Sequence, residues 1–233
     1  MTIKVGINGF GRIGRLALRA AFDNPALTFV HINDPAADAT THAHLLNFDS
    51  VHGRWSHEAS ADGDAIVING QRITFSHHKA INDIDWSGCD IVIEASGKNK
   101  TVAALQAYLD QGVKRVVVSA PVKEAGALNI VMGVNDHLFD PAQHRIVTAA
   151  SCTTNCIAPV IKVIHEKVYE KAKVKVNIKV ETPAKEENPN QIKGKQNHLT
   201  FHTICCQFRS RGNWVTWRGN DCSPIKTRFG HYY

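Results

Sequence analysis

The chain has 233 residues, 43% of them hydrophobic and 21% charged, the make-up of an ordinary soluble globular protein with room for one large domain or two small ones. Its apolar runs are strand-sized and exclude a transmembrane helix. Met1 to Gly6 enters a strand at once and leaves no room for a signal peptide, and six unevenly spread cysteines form no disulfide framework in a chain of this size. A cytoplasmic protein with reduced thiols is expected. The net charge of +6 is split, with 15 Lys and Arg against 16 Asp and Glu up to residue 167 and 12 against 5 beyond it. A basic end of this kind raises a nucleic-acid reading. No RNA- or DNA-binding motif or interleaved aromatic platform accompanies it, and a solvated or poorly folded segment is the preferred account.

Ile3 to Asn8 reads as a short apolar strand running into Gly9-Phe10-Gly11-Arg12-Ile13-Gly14. This is a G-x-G-x-x-G pattern, and it opens a helix through Leu16, Ala17, Ala20 and Ala21. A second strand, Leu27 to Ile32, ends in Asn33-Asp34, with Asp34 lying 20 residues beyond Gly14. An acid there accepts hydrogen bonds from the adenosine ribose hydroxyls, while the glycines permit a tight turn and the helix N-terminus faces the pyrophosphate. The cofactor expected is NAD; a 2′-phosphate on NADP would meet the charge of Asp34. The competing account, a glycine-rich turn in an unrelated α/β protein, does not explain the strand–turn–helix–strand context.

Further along come a helical stretch from Thr41 to Phe48, a loop through Asp49 to Trp55, and a hairpin turning at Asn69-Gly70. Asp90 to Glu94 reads as a buried strand, Ser96-Gly97 as the loop before a helix from Thr101 to Gln111, and Lys114 to Ser119 as another strand. Strands alternating with helices predict an α/β fold, a doubly wound parallel Rossmann-type sheet over residues 1–150, with ligands at the carboxyl ends of the strands. Asp34, Ser96, Gly97 and Ser119 all fall at such ends.

The strand Ile146 to Thr148 leads into Ser151-Cys152-Thr153-Thr154-Asn155-Cys156, followed by an apolar-periodic helix through Val160, Ile161, Val163 and Ile164. Ser151 is a good N-cap, which puts Cys152 in the first helical turn. Unpaired backbone N–H groups and the helix dipole there favour thiolate over thiol and predict a nucleophile. A buried structural cysteine is the plainer reading, and it is expected to suit Cys156.

The run SCTTNC resembles the active-site segment of glyceraldehyde-3-phosphate dehydrogenases, and the resemblance covers the chain from its start to about Lys167. It implies that Arg12, Ile13, Asp34, Ser96 and Ser119 line the NAD site together with the glycines, and that Ser151 and Thr153 bind substrate or inorganic phosphate. It implies that Cys152 adds to the aldehyde of glyceraldehyde 3-phosphate and that a thioester is then cleaved by phosphate. It implies a homotetramer, and assembly of this chain into one is left open. Asn155 is expected to organise the local turn. Ser96-Gly97-Lys98-Asn99-Lys100 departs from relatives, which often carry apolar or aromatic residues here. With Asn33 to Ala37 and Val51 to Trp55 it resembles enzymes associated with arsenate resistance, although no chemistry in these residues separates arsenate from phosphate.

The resemblance also implies a histidine base on a strand after the cysteine helix, and no matching run is present. His165 lies more than three helical turns beyond Cys152; His198 and His202 remain candidates. Val174 to Val180 alternates apolar and cationic residues and predicts one edge strand, so that residues 151–181 form the start of an incomplete α+β catalytic domain. Residues 182–233 read as a divergent basic tail, poorly ordered, of the kind that a disrupted reading frame or a fused sequence produces. Cys205-Cys206, Cys222 and His202 raise metal binding, but no C-x-x-C pair supports it and no metal is expected. Two readings therefore stay open: a phosphorylating, NAD-dependent aldehyde dehydrogenase, and a truncated relative that binds NAD with little or no turnover.

Overall fold

The alternation of short β-branched runs with helical segments is realised in the order the sequence predicts. The computed structural model describes residues 2–166 and the segments 175–180, 204–210 and 213–218. The first half contains β1 (Ile3–Asn8), α1 (Arg12–Ala21), β2 (Leu27–Asn33), α2 (Ala39–Asn47), β3 (Phe48–Asp49), β4 (Gly53–Arg54), β5 (Ala59–Ala61), β6 (Ala65–Ile68) and β7 (Gln71–Ser76). There follow β8 (Ile91–Glu94), α3 (Val102–Asp110), β9 (Arg115–Val118), β10 (Ala127–Asn129), β11 (Ile146–Thr148) and α4 (Cys152–Ile164). Beyond these lie β12 (Lys175–Val180), β13 (Ile204–Ser210) and β14 (Asn213–Arg218). The chain divides into two units, Met1–Pro159 and Val160–Tyr233.

In the first unit nine strands form one sheet in the order β10-β11-β9-β8-β1-β2-β7-β6-β5. The strands from β10 across to β7 are parallel. The β6–β7 hairpin turns at Asn69 (φ 50°) and Gly70 (φ 80°), the left-handed pair that an Asn-Gly turn supplies. With β5 it adds an antiparallel edge to the predicted sheet. Strands β5 and β10 have only three residues each, too short for a period-2 pattern to announce them. Helix α2 is capped by Asp38, which accepts from Thr41 N at 2.8 Å, and α3 by Thr101, which accepts from Ala104 N at 3.3 Å.

Two cores fill the faces of this sheet. Ile7, Phe10, Leu18, Ile32, Leu46 and Ile73 pack in one; Trp86, Val92, Leu105, Tyr108, Val116 and Val118 in the other. Each is contiguous and fully withdrawn from water, so the burial of apolar surface holds the carboxyl ends of the strands in fixed relation.

In the second unit β12, β13 and β14 form an antiparallel three-stranded sheet with β12 at its edge. The predicted lysine-alternating strand is thus β12. Strands β13 and β14 were not legible, because their sequences lack a clean alternation. The rest of 182–233, with His198, His202 and Cys222, lies outside the described residues. Among the described residues no helix is long and apolar enough to cross a membrane, and no group of three or more His, Cys, Asp or Glu is placed to hold a metal.

Candidate active site

The chain order reverses on the two sides of β1. It runs from β1 outward to β2 and β7, then returns to place β8, β9 and β11 on the opposite side. A crevice at the carboxyl ends of the strands follows from that reversal. It holds a cavity of about 290 Å³ lined by four predicted residues, Gly9, Gly11, Asp34 and Ser96. Asn8, Asn33, His78, Lys79, Lys98 and Asn99 also line it, and sequence reading did not single them out for the site.

Three glycines do three different things. Gly9 has φ +92°, and a Cβ there would fall 2.3 Å from Ser96 N, so the turn lies directly against the β8 loop. A Cβ on Gly14 would sit 2.2 Å from the Gly9 carbonyl oxygen, so α1 starts immediately behind the turn. Gly11 is the contrary case, with no atom within 4 Å of its would-be Cβ. It precedes α1 as an N-cap that makes no side-chain hydrogen bond, leaving the first N–H groups of the helix to face a ligand. Arg12 and Ile13 open α1 and are exposed, Ile13 by 54%.

Asp34 is only 8% exposed. Its Oδ2 accepts from Phe10 N at 2.6 Å and its Oδ1 from Ala36 N at 2.8 Å. A carboxylate has about four acceptor sites, so this leaves capacity for ribose hydroxyls. His42 packs behind it, Nε2 3.8 Å from Asp34 Oδ1, between the rings of Phe10 and Phe75. Neither nitrogen of this buried ring has a hydrogen-bond partner among the described residues. Burial lowers the His42 pKa from its ordinary value, the Asp34 charge opposing this in part.

Ser96 donates through Oγ to Glu94 Oε1 at 2.5 Å and through its backbone N at 2.8 Å. Gly97 takes φ +72° with open space around it. Ser119 follows β9 and donates its N–H to the Glu94 carbonyl at 2.9 Å. Neither Gly97 nor Ser119 lines the cavity wall, although both stand at the same sheet edge.

Cys152 reaches that edge from β11. Parallel pairing of β11 with β9 sends the chain out at the carboxyl side, where Ala150 takes φ +54° while buried. A left-handed alanine is a strained turn. It is held by Ala150 N donating to Thr148 Oγ1 at 3.0 Å and Ala149 N to the Val118 carbonyl at 2.9 Å. Ser151 Oγ accepts from Thr154 N at 3.1 Å as the predicted cap, and lies 3.0 Å from Thr153 Oγ1. Asn155 Nδ2 donates to the carbonyls of Ala149 (2.7 Å) and Ser151 (2.9 Å), tying the turn down as expected. Cys152 is exposed at the first turn of α4.

Cys156 corrects an expectation. It is exposed, not buried, because no residue of α4 is buried: Val160, Val163 and Ile161 stay 51%, 58% and 38% accessible. Among the described residues nothing buries the apolar side chains whose periodicity marked this helix. Of Cys89, Cys152 and Cys156 the buried one is Cys89, whose pKa is pushed up to about 11, chiefly by burial.

Sheet, glycine turn and acid together define a dinucleotide-binding α/β domain with a cysteine presented at the same sheet edge. Residues 3–102 match the family described as glyceraldehyde 3-phosphate dehydrogenase, NAD binding domain. The chain is 58% identical over 168 residues to glyceraldehyde-3-phosphate dehydrogenase 3 of Nostoc sp., covering 71% of this chain and 50% of that protein. It is 46% identical over 169 residues to the glyceraldehyde-3-phosphate dehydrogenase of Geobacillus stearothermophilus, covering 72% and 50%. Glyceraldehyde-3-phosphate dehydrogenase B of Aspergillus oryzae is 43% identical over 169 residues, covering 72% and 49%. The chain spans about half the length of the curated relatives it matches.

Proposed function

We propose that this chain is an oxidoreductase of the glyceraldehyde-3-phosphate dehydrogenase type, with residues 1–150 as its NAD domain and the catalytic domain beginning at Ser151. The observation that carries the reading is topological. Parallel strands bring the glycine turn after β1, Asp34 after β2, Ser96 after β8 and Cys152 after β11 to one edge of one sheet. NAD fits the crevice, since Gly11 leaves the approach to the uncapped N–H groups of α1 open and Asp34 keeps acceptor sites for a ribose.

In this reading the Cys152 sulfur bonds the aldehyde carbon of glyceraldehyde 3-phosphate as a thiohemiacetal, and oxidation of that carbon leaves a thioester on Cys152. When bound, NAD supplies the hydride acceptor for that oxidation. A phosphate or arsenate oxygen then displaces the sulfur, giving the acyl product and freeing Cys152. Ser151 and Thr153, their hydroxyl oxygens 3.0 Å apart at the start of α4, offer hydroxyls to the oxyanion at the positive end of the helix dipole.

A second reading, a chain that binds NAD without turning over, is favoured by where the flanking histidines fall. His144 precedes β11 and stands at the opposite sheet edge. His165 comes 13 residues after Cys152 in the sequence, too many helical turns on for a base in the same turn as the sulfur. NADH absorbance, followed on the purified chain with glyceraldehyde 3-phosphate, NAD and either phosphate or arsenate, separates the two. NADH lost in Cys152→Ser supports the first. Absence of NADH with NAD still raising the melting temperature supports the second, and absence of both overturns the assignment.

A further inference from the structure

Glu94 is a carboxylate at the end of β8, 1% exposed, beneath the cavity and not on its wall. Five donors converge on it. Oε1 accepts from Ser96 N (2.8 Å) and Ser96 Oγ (2.5 Å); Oε2 accepts from Asn99 Nδ2 (2.8 Å), Asn8 Nδ2 (3.0 Å) and Tyr108 OH (2.6 Å). A buried charge is tolerated where every lone pair is met, and then the group is rigid. The donors come from three separate pieces of the chain. Asn8 ends β1 immediately before the glycine turn, Tyr108 belongs to α3, and Ser96 and Asn99 sit in the loop that forms one wall of the cavity. Asn8 Oδ1 in turn accepts from Asn33 Nδ2 at 2.8 Å, and Asn33 precedes Asp34.

We infer that Glu94 is the positioning residue of the dinucleotide site, setting the β8–α3 loop against the glycine turn, with Asn99 as its partner from the loop. Asn99 is the informative member. It points its amide inward to the Glu94 carboxylate, so its contribution to the wall is the shape it imposes on residues 95–99. A loop so tied presents Ser96 in one geometry before the ligand arrives, and affinity gains from ordering already achieved. The proposal rests on the dinucleotide reading of the cavity.

The test is NAD affinity by titration calorimetry for wild type, Asn99→Ala, Asn99→Asp and Glu94→Gln, at a temperature where each retains the wild-type far-UV spectrum. Asn99→Ala should weaken NAD about tenfold, in line with the loss of a hydrogen bond to a charged group. Glu94→Gln does the same or more, although its side chain does not line the cavity. Asn99→Asp carries the distinguishing readout. It places a second carboxylate against Glu94, and two such groups cannot both ionise, so one titrates above the ordinary carboxylate range. Measured against the wild type at the same pH, its NAD dissociation constant therefore improves as pH falls through that raised value. Should Glu94→Gln refold poorly, the two Asn99 variants carry the test alone. Wild-type affinity in the folded variants, or an Asn99→Asp pH profile parallel to that of the wild type, overturns the inference. Failure of the wild type to bind NAD overturns the dinucleotide reading itself.

Discussion

Asp34 holds the backbone of Phe10: its Oδ2 accepts the Phe10 N–H at 2.6 Å, joining the end of β2 to the glycine turn 24 residues earlier. The acid at this position thus has a structural role before any ribose arrives. Asp34→Ala is expected to leave a buried N–H unmet and to cost about 1–3 kcal/mol, seen as a lower urea midpoint, with NAD affinity falling too. Asp34→Asn keeps an acceptor oxygen and should recover most of the stability but not the affinity. Equal stability of the Ala and Asn variants would contradict this account.

The two packed glycines and the open one should separate fold from binding. Gly14→Ala forces a Cβ onto the Gly9 carbonyl, and about 1–3 kcal/mol of overpacking or more is expected as a lower melting temperature. Gly11→Ala meets nothing within 4 Å at an ordinary φ of −68°. It should melt like the wild type yet bind NAD more weakly, because the added methyl occupies the approach to the α1 N-terminus. A Gly11→Ala protein with unchanged affinity would place the pyrophosphate elsewhere.

Thiol accessibility gives a third prediction. Iodoacetamide should label Cys152 and Cys156 in the native protein while Cys89, buried and with its pKa pushed up to about 11, stays unlabelled until denaturant is added. Peptide mapping reads this directly. Rapid native labelling of Cys89 would mean that the core around Trp86 opens.

His42 makes stability depend on pH. Its folded pKa lies below the ordinary 6.5, with burial the main cause and Arg15 adding to it, while Asp34 and Asp38 oppose. Between the two values the unfolded chain binds the extra proton and the folded chain does not. Stability from this group is therefore full above about 6.5 and is lost as pH falls through the folded value. His31, also lowered by burial, acts in the same direction. The melting temperature of the wild type should drop on acidification below that point, and His42→Leu should make the drop shallower. An unchanged slope in His42→Leu would remove His42 from this role.

Much of the framework was readable along the chain. The strand before Gly9, the helix behind Gly14, the Asn69-Gly70 turn and the cap at Ser151 are each written within a few residues. Backbone geometry and short-range hydrogen bonds settle such features, and the residue types that satisfy them are few. Asp34 was readable for a related reason, since a βαβ unit of fixed size sets the spacing between the turn and the next strand end.

Other features were decided only by the folded chain. Asn99 read as a departure from pattern, and its partner Glu94 as one more residue of a buried strand. Their meaning depends on Asn8 and Tyr108, 86 and 14 residues from Glu94 and 100 from each other, brought together by the pairing of β1 with β8 and the packing of α3. The strain at Ala150 and the exposure of Cys156 are of the same kind. Periodicity states which side of a helix is apolar, but whether anything covers that side depends on long-range contacts, and no local pattern of residues encodes them.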